Sequence, residues 1–429
     1  MRQLLSDKER CGKIVLVTAA LITWLLILIS FKYYGYNETW LLWKVPVNSP
    51  QFLDFRLIPG SAESYRQGFE PTIKNPDDPA GRIFNYPAFW RLFFYTNINE
   101  DDTVWISILM IVLFFMSVLV FPDHLKVQDA IMMLLVMFAP ASMLLYERGN
   151  VDLIVFVLCV LIVIASDYSA TIAAALLIFA AIVKMFPFFG ASVLLREGRV
   201  KFSWLFSICL FAIVSYVYIT IDSVRASWNL TQRGSEFSYG ANVLITRHQQ
   251  EIMPILTPWF SNASARRVLK YGPPMFGTIV LIFICFFILR SGNASLVVNS
   301  ERNLAAFRMG ASIYVGTFLL GNNWDYRLAF LVLVIPQLME WIRSTHGRQK
   351  VIVYISMTAL LYSCWQFRIF DFSSQQFFEG SRIFWLFFDD LLNWLLFLDL
   401  AYLLFASMPD WVRDLLPFIS PKMESVQSP

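Results

Sequence analysis

Long apolar runs restrict what this chain can become more than any other feature. They recur at roughly 14–31, 104–121, 127–146, 151–166, 170–183, 186–196, 203–221, 274–290, 304–321, 327–342, 351–367 and 383–406. About 20 apolar residues cross a bilayer core as a helix, and only a helix or a closed barrel satisfies its own backbone hydrogen bonds there. The runs predict an all-α polytopic membrane protein with about twelve transmembrane helices, in a range of roughly 10 to 13. The fifth and sixth runs are short and flank Lys184-Met-Phe-Pro187, so they read as two short helices or one broken helix. Charged residues make up only 15% of the chain and hydrophobic ones 57%. A soluble domain carries about 25% charged residues.

Sidedness follows from lysine and arginine placement. With the N-terminus inside, the connections Arg196–Lys201, Arg290–Arg308 and Arg343–Lys350 all fall on the cytoplasmic side. The first run follows Arg2, Lys8, Arg10 and Lys13 and ends in Lys32-Tyr-Tyr-Gly-Tyr36, which marks an uncleaved first span rather than a signal peptide. The expected organisation is one membrane domain over 1–420, with a first outer loop at 32–102, a second at 222–273, and a disordered tail at 421–429. The expected location is a bacterial cytoplasmic membrane. A net charge of +3 offers no case for a nucleic-acid partner. The five cysteines form no CxxC pair and there are three histidines, so no metal and no cofactor is expected.

Nearly every unusual polar cluster falls on the predicted outer side. Asp54, in Gln51-Phe-Leu-Asp-Phe-Arg-Leu57, is an acid in the loop that follows the first span, flanked by apolar residues and placed to serve as a general base; the plainer reading is a solvated acid or an ion pair with Arg56. Phe84-Asn-Tyr-Pro-Ala-Phe-Trp90, an aromatic-proline turn, follows in the same loop, and Phe89–Tyr95 suits an interfacial helix. Lys184 lies among apolar residues beside a proline break, where a cation suits a phosphate or snorkels to the headgroups. Tyr146-Glu-Arg-Gly-Asn-Val-Asp152 offers Arg148 for phosphate, and Glu147, Asn150 and Asp152 for hydroxyl groups. Gly321-Asn-Asn-Trp-Asp-Tyr-Arg327 contributes Asn323, Asp325, Tyr326 and Arg327, more polarity than a hairpin needs. There is no Walker loop, GxGxxG, HExxH or GxSxG elbow. A substrate delivered through the membrane, a lipid phosphate, fits this distribution better than a soluble nucleotide.

In Asp54-Phe-Arg56, Gly81-Arg-Ile-Phe-Asn-Tyr-Pro87, Arg148-Gly-Asn150, Val183-Lys-Met-Phe-Pro187 and Asn323-Trp-Asp-Tyr-Arg327, taken in order, the chain resembles the membrane-embedded GT-C glycosyltransferases. It looks most like the glycosyltransferase family 87 type, which includes polyprenyl-phosphate-mannose-dependent mannosyltransferases. One departure is Ala88, where family members often carry a second proline. The resemblance implies a GT-C-like fold and transfer of a sugar from a polyprenyl-phosphate donor to a lipid-linked or glycan acceptor at the outer face, with inversion. Asp54 would be the catalytic base, and Lys184, Arg148 and Arg327 would hold the donor phosphate. Arg56, Tyr86, Asn150, Asn323, Asp325 and Tyr326 would line the substrates. The alternative class is a transporter or flippase of lipid-linked glycans, for which paired repeats would be expected.

Overall fold

The computed structural model describes residues 2–231, 236–291, 296–376 and 381–414; the tail at 421–429 lies outside them. Helices dominate. In chain order they are α1 (Arg2–Tyr34), α2 (Tyr36–Leu42), α3 (Leu53–Arg66), α4 (Asp102–Val120), α5 (Val127–Met137), α6 (Pro140–Arg148), α7 (Asp152–Ser166), α8 (Ala170–Val183), α9 (Arg199–Ile219), α10 (Ile221–Leu230), α11 (Val243–Arg247) and α12 (Gln249–Leu256). They continue with α13 (Asn262–Ser291), α14 (Glu301–Leu319), α15 (Ile335–Ser344), α16 (Gly347–Gln376), α17 (Ser381–Ala406) and α18 (Asp410–Arg413). Among the described residues, three 3-10 helices, Ala88–Tyr95, Phe186–Arg196 and Asp325–Val334, accompany them.

Among the described residues, four helices are long and apolar enough to cross a membrane: Cys11–Tyr34 within α1, α4, α9, and Asn262–Arg290 within α13. Counting the bent pair α5–α6 as one crossing makes five. That pair turns by 57° where Pro140 opens α6, because a proline has no N–H to carry on the preceding helix. These long apolar helices bury only a minor part of their surface. In α1, Leu16, Ala20 and Ile27 are buried at helical spacing while Leu21, Leu25 and Leu28 stand exposed, the pattern of a helix with one protein-facing side and an otherwise apolar surround.

The core is organised around α14, buried almost end to end from Asn303 to Phe318. Small residues let its neighbours approach closely. A Cβ at Gly310 would lie 3.0 Å from Leu333, and one at Gly316 would collide with the Phe189 ring. Those partners lie on the two long 3-10 helices. Winding at about 2.0 Å per residue rather than 1.5 Å lets such short segments span about 20 Å each.

The stretch between α1 and α4 is ordered by its own side chains. The small, polar face of α3 holds the turn that follows it: Ser64 Oγ donates to Asn75 Oδ1 (2.8 Å), and Asn75 Nδ2 donates to Ser61 Oγ (3.0 Å) and Arg82 O (2.9 Å). Residues expected to form a helix here do so as the 3-10 helix Ala88–Tyr95. Trp90 Nε1 donates to Val183 O (3.0 Å), pinning that helix to the end of α8.

The stretch 222–273 is also structured in its described residues. It contains α10, α11 and α12, and α13 begins at Asn262 with Pro273 and Pro274 inside it. Ala265 and Leu269 are buried on its first turns, so tertiary packing overrides polar composition and prolines alike. A two-residue antiparallel pair, β1 (Ser238–Tyr239) with β2 (Asn323–Trp324), joins this region to the late turn in the register Ser238↔Trp324, Tyr239↔Asn323.

Candidate active site

Asp54 occupies the first turn of α3, entered through Phe52 in a left-handed conformation (φ 57°). Its Oδ2 accepts from Asn150 Nδ2 at 2.7 Å, and its Oδ1 lies 3.5 Å from Arg82 Nη1. Arg82 is itself aimed by Asp78, whose Oδ2 accepts from its backbone N–H (2.7 Å) and Nε (3.1 Å) and whose Oδ1 accepts from Nη2 (2.8 Å). Arg82 Nη2 also donates to Leu53 O (2.6 Å). The Tyr86 hydroxyl donates to the backbone carbonyl of Asp54 (3.2 Å). Burial, and then the neighbouring Asp54 carboxylate, push the Tyr86 phenol well above its ordinary pKa, so it stays a donor.

Asn150 is the hinge of the arrangement. Its Nδ2 serves Asp54, while its Oδ1 accepts from Lys184 Nζ (3.3 Å) and from the Asp152 backbone N–H (3.0 Å). Lys184 forms an ion pair with Asp152 Oδ1, and Arg327 Nε lies 3.2 Å from Asp152 Oδ2. Asp152 is fully buried in the first turn of α7, where the helix dipole also favours an anion. Arg327 Nη1 donates to Asn323 Oδ1 (2.6 Å), and the guanidinium lies over the rings of Phe186 (5.1 Å) and Tyr326 (5.8 Å). Lys184 Nζ lies 5.8 Å from the Tyr86 ring centroid. One acid shared by two cations leaves this cluster with a formal charge of +1.

Of the residues singled out from the sequence, the structure therefore gathers Asp54, Tyr86, Asn150, Lys184, Asn323, Tyr326 and Arg327. Others have different direct partners. Arg56 pairs with Glu100, not Asp54, because residues two apart on a helix do not face each other. Burial pushes the Glu100 carboxyl up and Arg56 opposes the shift. Arg148 is engaged by Glu147 (Nε to Oε2, 3.2 Å), and Glu147 Oε1 accepts the Asn48 N–H (3.0 Å). Asp325 turns to Gln366, which donates to its Oδ2 at 2.9 Å. Arg82 and Asp78 were not among the candidates, although Arg82 lies within the quoted Gly81–Pro87 motif. Asp152 was read as a hydroxyl partner and is instead the shared counterion. Among the described residues, no three His, Cys, Asp or Glu side chains are placed to hold a metal ion.

The turn that presents Asn150 depends on one glycine. Gly149 has φ 55°, and a Cβ there would lie 2.7 Å from Ser107 Oγ and 2.9 Å from Phe52 Cβ. The close approach seats Phe52, and with it the entry to α3, against the Asn150 turn. Gly149→Ala is expected to lower stability by about 2 kcal/mol, from left-handed backbone strain plus displacement of Phe52. Thermal melting in detergent checks this; an unchanged midpoint would mean that the contact is not needed.

The chain matches no protein-family model, no curated protein and no solved structure. Its function is therefore argued from its own residues.

Proposed function

We propose that this protein is a multi-pass membrane glycosyltransferase of the GT-C kind, close to the family 87 type. It would cross a bacterial cytoplasmic membrane about twelve times and carry its site on the outer face. It moves a hexose or pentose from a polyprenyl phosphate to a lipid-linked or glycan acceptor. The observation that carries the reading is the joint hold of Asn150 on Asp54 and Lys184, which sets a candidate base and a phosphate-suited cation one carboxamide apart. A donor phosphodiester bears a single negative charge, which complements the +1 of the Lys184–Asp152–Arg327 cluster.

In the reaction, the acceptor hydroxyl oxygen forms a bond to the anomeric carbon as the bond from that carbon to the phosphate oxygen breaks. The acceptor proton passes to the Asp54 carboxylate. The leaving phosphate keeps the bonding electron pair, and Lys184 and Arg327 stabilise it. Attack opposite the leaving group inverts the anomeric centre. Arg82 and Asn150 hold the Asp54 carboxylate in place by its two oxygens.

The test is transfer of labelled sugar from a panel of synthetic polyprenyl-phosphate sugars, with acceptor lipids extracted from the host membrane. Lys184→Ala removes a charged contact to phosphate worth about 1.5–3 kcal/mol, so donor affinity should fall about 10- to 100-fold. Unchanged donor affinity would remove Lys184 from the phosphate site. Absence of turnover with every donor, in folded protein, would shift the reading to a flippase of lipid-linked glycans.

A further inference from the structure

A second feature stands apart from the Asp54 cluster. A cavity of about 380 Å³ lies between the chain leading into α3, the start of β1, and the helices α16 and α17. Its size is within the range of small-ligand pockets, about 300–1,000 Å³. Phe237 and Phe367 stack in its wall with centroids 3.9 Å apart and planes at 24°, and Trp385 forms another part of the lining. The polar edge is equally defined. Lys44 Nζ lies 2.9 Å from Asp371 Oδ1, with both side chains partly exposed, and Glu236 and Gln366 also line the space.

We propose that this cavity binds a neutral saccharide, the sugar portion of the acceptor. Three observations favour that class. Aromatic faces pack against the C–H faces of a sugar ring, and carboxylates and an amide take its hydroxyl hydrogen bonds. The charge of the described lining, one lysine against two acids, is −1, which opposes a phosphate and so sets this cavity apart from the +1 cluster beside Asp54. A purely lipid chain would leave the Lys44–Asp371 edge without a role.

The same segments also tie the cavity to the site. Val45 and Pro46 line it, and Asn48 just beyond them donates to Glu147 in the turn that presents Asn150. On another wall, Gln366 holds Asp325, which belongs to the same 3-10 helix as Arg327. A sugar seated here is thus bounded by the chain that leads to the base and by α16, whose Gln366 holds the 3-10 helix that carries a donor cation. The assignment of the sugar as acceptor rests on the glycosyltransferase reading; the binding itself does not.

The experiment uses the full chain in phosphatidylcholine nanodiscs and a panel of radiolabelled octyl glycosides of neutral hexoses and pentoses, with octyl phosphate and octylamine as comparators. At least one glycoside should bind saturably and more tightly than either comparator. Asp371→Asn and Trp385→Ala should each weaken it by about tenfold or more, Trp385→Phe should retain most of the affinity, and the Asp54→Asn variant should bind as the wild type does. In transfer assays the same two variants should raise the acceptor KM by about tenfold, leaving kcat and the donor KM nearly unchanged. Equal glycoside affinity in wild type, Asp371→Asn and Trp385→Ala overturns the proposal, as does preference for octyl phosphate or octylamine, or no glycoside binding by folded protein. Saturable, Trp385-dependent binding without any transfer would instead sink the enzymatic reading alone. Active transfer with an unchanged acceptor KM would sink the cavity assignment alone.

Discussion

Asp54→Asn is expected to lower the rate of sugar transfer by about 10²–10⁴-fold, the usual worth of a positioned general base, while leaving donor affinity close to that of the wild type. The substitution preserves size, and the side chain is 22% exposed rather than sealed in the core, so the fold should survive. What it removes is the proton acceptor. The Asn150 amide and the Arg82 guanidinium would still face position 54, and neither can take a proton from a hydroxyl at neutral pH. The measurement is kcat and donor KM for wild type and variant side by side. A kcat within tenfold of wild type would exclude Asp54 as the essential base, and a large rise in donor KM would recast it as a binding residue.

Asp152→Ala should be the most damaging single change to stability within the site, at about 3–5 kcal/mol, because it strips the counterion from two cations at once. Asp152 is fully buried, whereas the side chains of Lys184 and Arg327 are 13% and 15% exposed. Neither cation can turn freely into water, and each would repel the other across the vacated space. Lys184→Met in the Asp152→Ala background should recover part of the loss, since one uncompensated charge is then removed. Melting midpoints of the single and double variants check this. A shift for Asp152→Ala no larger than that of an ordinary surface substitution, about 0.5 kcal/mol, would show that solvent or lipid headgroups already neutralise the cations.

These two residues also mark the limit of what could be read from the chain alone. Asp54 stood out because an acid among Phe52, Leu53 and Phe55 is a local signal. Asp152 did not, because in sequence it is one of several polar residues in a short turn between two apolar runs. Its importance arises only when Lys184 at the end of α8 and Arg327 in a later 3-10 helix converge on it. The same holds for Arg56 and Arg82. Proximity in sequence paired Asp54 with Arg56, but the helical turn sends Arg56 away to Glu100. The partner that does reach Asp54 comes from the far end of a turn held by Asn75 and Asp78. The polar region after α9 shows the same limit: composition marks a connection there, while burial of Ala265 and Leu269 and pairing of β1 with β2 give it helical and strand structure.

The apolar runs and the types of residue available for chemistry were determined by the sequence itself. Hydropathy and backbone self-satisfaction act over one helix at a time, so helices form wherever long apolar runs occur, and the cations and acids between them are visible by inspection. The pairing of those charges was decided only by the tertiary structure. Which cation meets which acid depends on how α3, α6, α7, α8 and two 3-10 helices pack, on close approaches such as that at Gly149, and on the high cost of leaving any one buried charge without a partner.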